Sequence, residues 1–234
     1  MVGLALVTGA AHRLGKTFAL TLARLGYDLV LHYNAAEKEA QETQAEIEAL
    51  GRNVKLVQAD LSDFDKVQSL ISNIGPLSVL VNSAAIMKPG TVQTMSVEDW
   101  DLPMDLNVRA PFLLAQAAAR SMQPGGLIVN ISDVGAQKAW SRYPSYTVSK
   151  AALESLTQVL ARALAPNIRV NAIAPGFVLQ SNVVDAETWD RLVKRVPLQR
   201  PARVEEIGSA LEFLIKNEYM TGQVLVVDGG YSLL

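Results

Sequence analysis

LALVTGAAHRLGKTFALTLARLG, residues 4–26, changes character twice within one short span. Leu4 to Thr8 is a continuous apolar run, too short for a helix and apolar at alternating positions alike, which predicts a strand covered on both faces. After Gly15, apolar residues recur at spacings of three and four and the run stops at a glycine, the pattern of an amphipathic helix with a C-terminal stop. Two glycines join these pieces: Gly9 permits a tight turn, and Gly15 lets the helix start close to the strand. A strand, a glycine turn and a helix in that order bring free backbone N–H groups and the positive end of a helix dipole to one point, where a pyrophosphate can be held.

The same alternation continues along the chain. DLVLHY (28–33), VKLVQ (54–58), LSVLVN (77–82), GLIVNIS (126–132), IRVNAIA (168–174) and QVLVVD (223–228) are further short β-branched runs. Between them, EKEAQETQAEIEALG (37–51) and FDKVQSLISNIG (64–75) have helical spacing and end in glycine. Right-handed crossovers between such units predict an α/β fold: a single doubly wound domain over residues 1–234, with a seven-stranded, mostly parallel sheet and helices on both faces. No linker, low-complexity segment or internal repeat interrupts it. The longest stretch without a clear strand or strong helix is 175–202, whose apolar residues, Val183, Val184 and Trp189 among them, predict a short helical lid.

Composition narrows the function. A chain of 234 residues that is 50% hydrophobic and 19% charged can bury a large core. Its formal charge is −2 and it has no basic run interleaved with aromatics, so no nucleic-acid partner is expected. With no cysteine and only His12 and His32 as histidines, a disulfide framework is impossible and a metal centre would need carboxylates alone; no metal is expected. The N-terminal apolar run is too short for a signal peptide, and no run approaches the ~20 apolar residues of a membrane span, so a cytoplasmic protein with no membrane partner is expected.

The second strand ends LHYNAA (31–36), and an acid at that end would accept from the ribose hydroxyls of NAD. None is present, and Asp28 lies at the strand's entrance. With His12 and Arg13 in the glycine turn, this end favours the 2′-phosphate of NADPH, although Arg13 and His32 read by residue type alone are ordinary surface groups.

A second constellation lies in NISDVGAQKAWSRYPSYTVSK, residues 130–150. Tyr146 and Lys150 are one helical turn apart and share a face. A free phenol titrates near about 10, and an adjacent ammonium stabilises the phenolate, which predicts a tyrosine moved toward acid/base work at neutral pH. Asp133 stands 13 residues before the tyrosine, just past an apolar run.

TGAAHRLG (8–15), ADLSD (59–63), VNSAA (81–85), LNV (106–108), YTVSK (146–150), APG (174–176) and VDGGY (227–231) occur in this order along the whole chain. In that order and spacing they resemble the short-chain dehydrogenase/reductase family. The resemblance implies a Rossmann fold and a nicotinamide-dependent oxidoreductase acting on a small molecule. It implies cofactor contacts from Gly9, His12, Arg13, Leu14 and Gly15 in the glycine turn, and from His32, Tyr33 and Asn34 at the end of the second strand. Asp60 and Leu61 would lie near the adenine, Asn82, Ser83 and Ala84 would follow the fourth strand, and Pro175 and Gly176 would flank the nicotinamide. Tyr146 becomes the acid/base and Lys150 the holder of the nicotinamide ribose. Asn107 would hold a water in a proton relay from Lys150 through a helix carbonyl, the lesser alternative being a helix-interrupting structural polar group.

Two departures carry further information. The family usually has serine at the position of Asp133, where a hydroxyl polarises the substrate carbonyl; an ionised carboxylate cannot donate and repels an oxyanion. Arg13 stands where the pattern usually has its middle glycine. Together these resemble the pteridine reductase and dihydromonapterin/dihydrofolate reductase branch. A C=N bond reduced by hydride needs a proton at nitrogen, which a carboxyl group and a tyrosine can relay. The reading is therefore NADPH-dependent hydride transfer to a pterin or dihydrofolate-like C=N bond. That branch stacks its substrate on an aromatic soon after the fourth strand, where this chain has Met87, a less specific partner. Trp140, Tyr143, Phe177 and Trp189 are the other candidate substrate residues, with Trp140 and Tyr143 equally readable as core or interface. Two alternatives stay open: a carbonyl reductase of 3-oxoacyl, sugar or small ketone substrates, with a protonated Asp133 donating as serine would, and a non-catalytic dinucleotide-binding sensor. The helices over 107–122 and 146–165 are apolar around more of their circumference than solvent requires, with Ala115, Ala117, Ala118 and Ala119 permitting close approach, so a homotetramer or homodimer is expected.

Overall fold

Seven strands form one sheet in the computed structural model, which describes residues 3–72, 74–180 and 184–234: β1 (Leu4–Val7), β2 (Asp28–Tyr33), β3 (Val54–Gln58), β4 (Val79–Asn82), β5 (Gly126–Ile131), β6 (Ile168–Pro175) and β7 (Val224–Val227). Each of the expected runs holds one of them. The order is β3-β2-β1-β4-β5-β6-β7, and the pairing is parallel throughout.

The continuous apolar runs are explained by burial on both faces. Successive residues of the central strands point to opposite sides. Ala5, Val7, Val79, Val81, Leu127 and Val129 enter one core, whereas Leu6, Leu80 and Ile128 enter the other. The first core is closed by α1 (Arg13–Arg24), α2 (Glu37–Ala49) and α8 (Val204–Lys216), through Phe18, Leu22, Ile47, Ile207 and Leu211. The second is closed by α3 (Phe64–Ser72), α5 (Ala110–Ala119) and α6 (Pro144–Leu164), through Val67, Leu70, Leu114 and Leu160. Fully buried side chains such as Phe18 and Leu22 each contribute roughly 2–3 kcal/mol.

The expected helix over 107–122 begins irregularly. α4 (Val97–Met104) runs into a π-helical turn at Asp105–Arg109 before α5 starts. Within the expected lid, α7 (Ala186–Arg195) is the helical piece, capped by Asp185, whose Oδ1 accepts from the Thr188 N–H at 2.7 Å. Val183 lies outside the described residues. Among the described residues no helix is long and apolar enough to cross a membrane.

The functional position follows from the topology. From β1 the chain builds outward to β2 and β3 on one side and returns to β4 on the other, so a crevice opens beyond the C-terminal ends of β1 and β4. Thr8 fastens the two lips of that crevice: its hydroxyl accepts from the N–H groups of Ser83 and Ala84, each at 3.0 Å.

Candidate active site

A cavity of about 1120 Å³ occupies this crevice. At its nucleotide end Gly9 adopts φ +63, and a Cβ there would lie 2.9 Å from the Ala84 Cα. A Cβ on Gly15 would fall 2.0 Å from the Gly9 carbonyl oxygen, so α1 starts in backbone contact with the turn and only glycine permits it. The residue preceding α1, His12, is extended, makes no side-chain cap, and no acid stands in the first turn. By contrast Ser96 caps α4 and Asp185 caps α7. The first N–H groups of α1 are thus left for an anion from outside the chain, which fits a dinucleotide pyrophosphate. His12, Leu14, Tyr33, Asn34, Asp60, Leu61, Ser83 and Ala84 complete this half of the wall. No carboxylate occurs among Tyr33, Asn34, Ala35 and Ala36. The Asp60 carboxyl is held below its ordinary range chiefly by the Ser62 hydroxyl at 2.7 Å.

Three expected cofactor contacts differ. Asn82 is absent from the wall: it is buried, and its Nδ2 donates to Asn130 Oδ1 at 2.8 Å, whose own Nδ2 donates to Thr157 Oγ1 at 2.9 Å. Through this chain of amide bonds it stitches β4 to β5 and α6. His32 borders the cavity but is neither a surface group nor free to reach a phosphate, since both ring nitrogens are engaged within the fold. Arg13 has φ +55, the left-handed conformation that a middle glycine would take without strain, and its guanidinium donates to the carbonyls of Leu179 at 2.9 Å and Gln180 at 3.1 Å. It ties the glycine turn to the segment that follows β6.

At the other end α6 carries Tyr146 and Lys150, and Asp133 follows β5. The Tyr146 hydroxyl donates to Asp133 Oδ2 at 2.9 Å, and the Gly135 N–H donates to Asp133 Oδ1 at 2.7 Å, capping the 3₁₀ turn Val134–Gln137. Lys150 donates to the Ile131 carbonyl at 2.7 Å, and its Nζ is 5.7 Å from the centre of the Tyr146 ring. The expected ammonium-lowered phenol is therefore not what forms. Burial, and then the adjacent Asp133 carboxylate, push the Tyr146 phenol well above its ordinary value. Burial also pushes the Asp133 carboxyl up, opposed by the Gly135 N–H, Tyr146 and Lys150, while burial lowers the Lys150 ammonium to about 8. With the phenol pushed up and the carboxyl pushed up from a far lower starting value, the carboxyl is the more acidic member of the pair.

Asn107 also departs from its expected place. It sits in the π-helical turn, outside the cavity wall, with Oδ1 accepting from Ile86 N–H at 2.9 Å and Nδ2 donating to the Ile86 carbonyl at 3.0 Å and to Ser149 Oγ at 2.9 Å. Ser149 in turn donates to the Tyr146 carbonyl at 2.7 Å. The side chain is fully bonded and holds α6 behind the site rather than facing it.

The substrate end is aromatic. Phe177 meets Trp189 edge-on at 5.5 Å and Tyr231 at 4.9 Å. Met87, Trp140 and Tyr143 lie in the same wall, as do Pro175 and Gly176. The Trp140 ring covers Gly135, where a Cβ would be 2.7 Å from it. Tyr231 escapes a reading of local sequence because a turn after β7 delivers it: the Asp228 carboxylate accepts from the N–H groups of Gly230 and Ser232. The only signal was the DGGY motif itself.

A family model described as enoyl-(acyl carrier protein) reductase matches residues 9–232. The chain is 35% identical to 3-oxoacyl-(acyl-carrier-protein) reductase FabG of Staphylococcus aureus, over 97% of this chain and 96% of that protein. Among solved structures it superposes on FolM alternative dihydrofolate reductase 1 from Brucella canis, complexed with NADP, with a TM-score of 0.92 and 36% identity over 99% of this chain and 94% of that one. A short chain dehydrogenase from Burkholderia cenocepacia in complex with NADP matches with a TM-score of 0.92 and 33% identity over 97% and 96% of the two chains. With its parallel sheet, glycine turn and clustered Asp133, Tyr146 and Lys150, the chain belongs to the short-chain dehydrogenase/reductase family of oxidoreductases.

Proposed function

We propose that the protein is an NADPH-dependent reductase of a flat C=N substrate of the pterin or dihydrofolate type. The observation that carries this reading is the 2.9 Å hydrogen bond from Tyr146 to Asp133, in a position where a carbonyl reductase needs a donor. When bound, NADPH supplies the hydride. The neighbouring nitrogen then needs a proton, and the protonated Asp133 carboxyl gives it, leaving a carboxylate that the Tyr146 hydroxyl and Gly135 N–H stabilise. Phe177, Trp189, Tyr231 and Trp140 offer apolar faces to a flat ring, and α7 acts as the lid over it. The absence of an acid at the end of β2 supports NADPH over NADH, and the uncapped start of α1 suits the pyrophosphate common to both. The FolM relative, described as an alternative dihydrofolate reductase and complexed with NADP, supports the same reading.

A second reading, reduction of a 3-oxoacyl or other carbonyl group, is favoured by the upward shift of Asp133, since a protonated carboxyl donates as serine does. The test is NADPH oxidation with 7,8-dihydropterins, dihydrofolate, 3-oxoacyl thioesters and simple ketones side by side. Higher kcat/KM for the C=N compounds is expected. The reverse order would install the carbonyl reading, and no turnover at all would leave a dinucleotide-binding sensor.

The enzyme is further read as a cytoplasmic homotetramer. Exposed Val97, Trp100, Phe112, Val148 and Val159 lie on α4, α5 and α6, and Phe213 and Val226 lie on α8 and β7, which offers two separate apolar faces. Two self-complementary faces close as a tetramer with two-fold axes. A monomer by light scattering at micromolar concentration would remove this assignment.

A further inference from the structure

His32 is a polar residue directly after the apolar run Leu29, Val30 and Leu31, and it is only 2% exposed. Its Nδ1 lies 3.1 Å from the Gly9 backbone nitrogen. That nitrogen carries a hydrogen and can only donate, so Nδ1 is an unprotonated acceptor. Nε2 lies 3.0 Å from the Ala59 carbonyl oxygen, which can only accept, so Nε2 carries the proton. Both bonds are satisfied by one species alone, the neutral Nε2–H tautomer; an imidazolium would aim N–H at N–H. The backbone adds a third link, since the His32 carbonyl accepts from the Ala10 N–H at 2.9 Å. Residue 32 thus receives two successive N–H groups of the glycine turn and connects them to the end of β3.

We propose that His32 is the positioning residue of the phosphate-binding turn: as the neutral Nε2–H tautomer it holds the Gly9 N–H inside the fold and fixes the point from which α1 starts. The proposal rests on the reading of the cavity as a dinucleotide site. It differs from a contact between a charged His32 and the 2′-phosphate, and the two have opposite signs. A fixed turn serves the pyrophosphate, which NADPH and NADH share, whereas a phosphate contact serves NADPH alone. Burial lowers the pKa of the ring, opposed by the Ala59 bond and by Asp60, the charged group that bears on it from the end of β3; the glycine turn presents backbone N–H groups. Because the folded value lies below the unfolded one, the contribution of His32 to stability is complete above about 6.5 and is lost as pH falls from there toward the folded value.

The test is titration of NADPH and NADH against the wild type, His32→Leu and His32→Asn from pH 6 to 9. The leucine variant is expected to weaken both cofactors by about tenfold or more while keeping their ratio, a loss equivalent to about one hydrogen bond to a well-placed backbone group. Asparagine, whose Oδ1 stands near the place of Nδ1, is expected to recover part of that loss for both. Loss confined to NADPH would overturn the proposal in favour of a phosphate contact. Wild-type affinities in the leucine variant, with only a lower Tm, would reduce His32 to a core residue. If that variant fails to fold, ¹⁵N chemical shifts of the His32 ring in the wild type decide: the Nε2–H tautomer, unchanged from pH 9 to 7 and on adding NADPH, is expected, and a charged or Nδ1–H ring would overturn it. A wild type that binds neither cofactor but shows this tautomer would instead sink the dinucleotide reading, and the proposed role with it.

Discussion

Tyr146 donates its hydroxyl proton to a hydrogen bond with Asp133 Oδ2, 2.9 Å away, and not toward Lys150, which is bound to the Ile131 carbonyl. The phenol is therefore the stabiliser of a carboxylate as much as an acid. Tyr146→Phe should lower turnover by about 10²-fold with NADPH affinity retained. Losing the donor also leaves Asp133 with uncompensated burial, so its pKa rises further and the pH profile of kcat should move to higher pH. Initial rates across pH with the best substrate check this; unchanged rates and profile would contradict the assigned pair.

Lys150 gives a stability test with a defined sign. Burial lowers its ammonium from 10.5 to about 8, so between these values the unfolded chain binds a proton that the folded protein lacks. Stability then rises with pH across that window. Tyr146 acts in the opposite sense only above its ordinary value near about 10, where the unfolded phenol ionises first. In Lys150→Met the lysine titration is gone. The wild type should therefore gain on the variant by about 1–2 kcal/mol between pH 8 and 10, measured by urea unfolding at fixed ionic strength. A difference that stays flat would mean the amine titrates at its ordinary value in the fold.

Arg13 combines a left-handed backbone at φ +55 with two bonds to the carbonyls of Leu179 and Gln180, in the segment that follows β6. Left-handed geometry costs a residue with a Cβ roughly 1–2 kcal/mol. Arg13→Ala loses the bonds and keeps the strain, whereas Arg13→Gly loses both. The glycine variant should be the more stable of the two by about 1 kcal/mol in denaturant unfolding, and both should show a raised KM from a loosened segment after β6. Equal stabilities would mean that the turn relaxes when those bonds go.

The sheet was legible because β1, β4 and β5 are buried on both faces, which imposes uninterrupted apolar runs that no surface strand needs. Edge strand β3 was fainter, since Lys55 and Gln58 face solvent. α4 was not legible: it contains Pro103 and depends on the Ser96 cap. The π-helical turn around Asn107 was hidden for a different reason, because its side chain is matched to Ile86, 21 residues away, a pairing no local pattern encodes. Residue types at the site were readable, yet not the sign of the Tyr146 shift. That sign depends on which neighbour the hydroxyl reaches and how deep the ring lies, both products of packing. His32 carried a clue that was available, a titratable residue directly after the apolar run Leu29, Val30 and Leu31, which calls for internal partners.

Asp133 decides the substrate class, and its two oxygens allow its roles to be separated. Oδ1 caps the turn through Gly135 and Oδ2 meets Tyr146, so a structural and a chemical role sit on different atoms of one group. Asparagine keeps an oxygen that can accept from the Gly135 N–H but cannot exchange a proton near neutral pH. If Asp133 supplies the proton to a C=N nitrogen, Asp133→Asn should hold Tm close to the wild type and depress C=N reduction by roughly 10²-fold or more. Asp133→Ser should depress it comparably while sparing or improving any carbonyl reduction, because a hydroxyl restores a donor for the oxyanion. If Asp133 instead stands in for serine, the serine variant should reduce carbonyls at low pH as the wild type does and extend that activity to higher pH, since a hydroxyl needs no prior protonation to donate. A residue that only caps the turn predicts a third pattern, wild-type rates in Asp133→Asn on every substrate. Steady-state rates for both variants on one C=N and one C=O compound, from pH 5.5 to 9, distinguish the three, and only the first pattern is compatible with the proposed reaction.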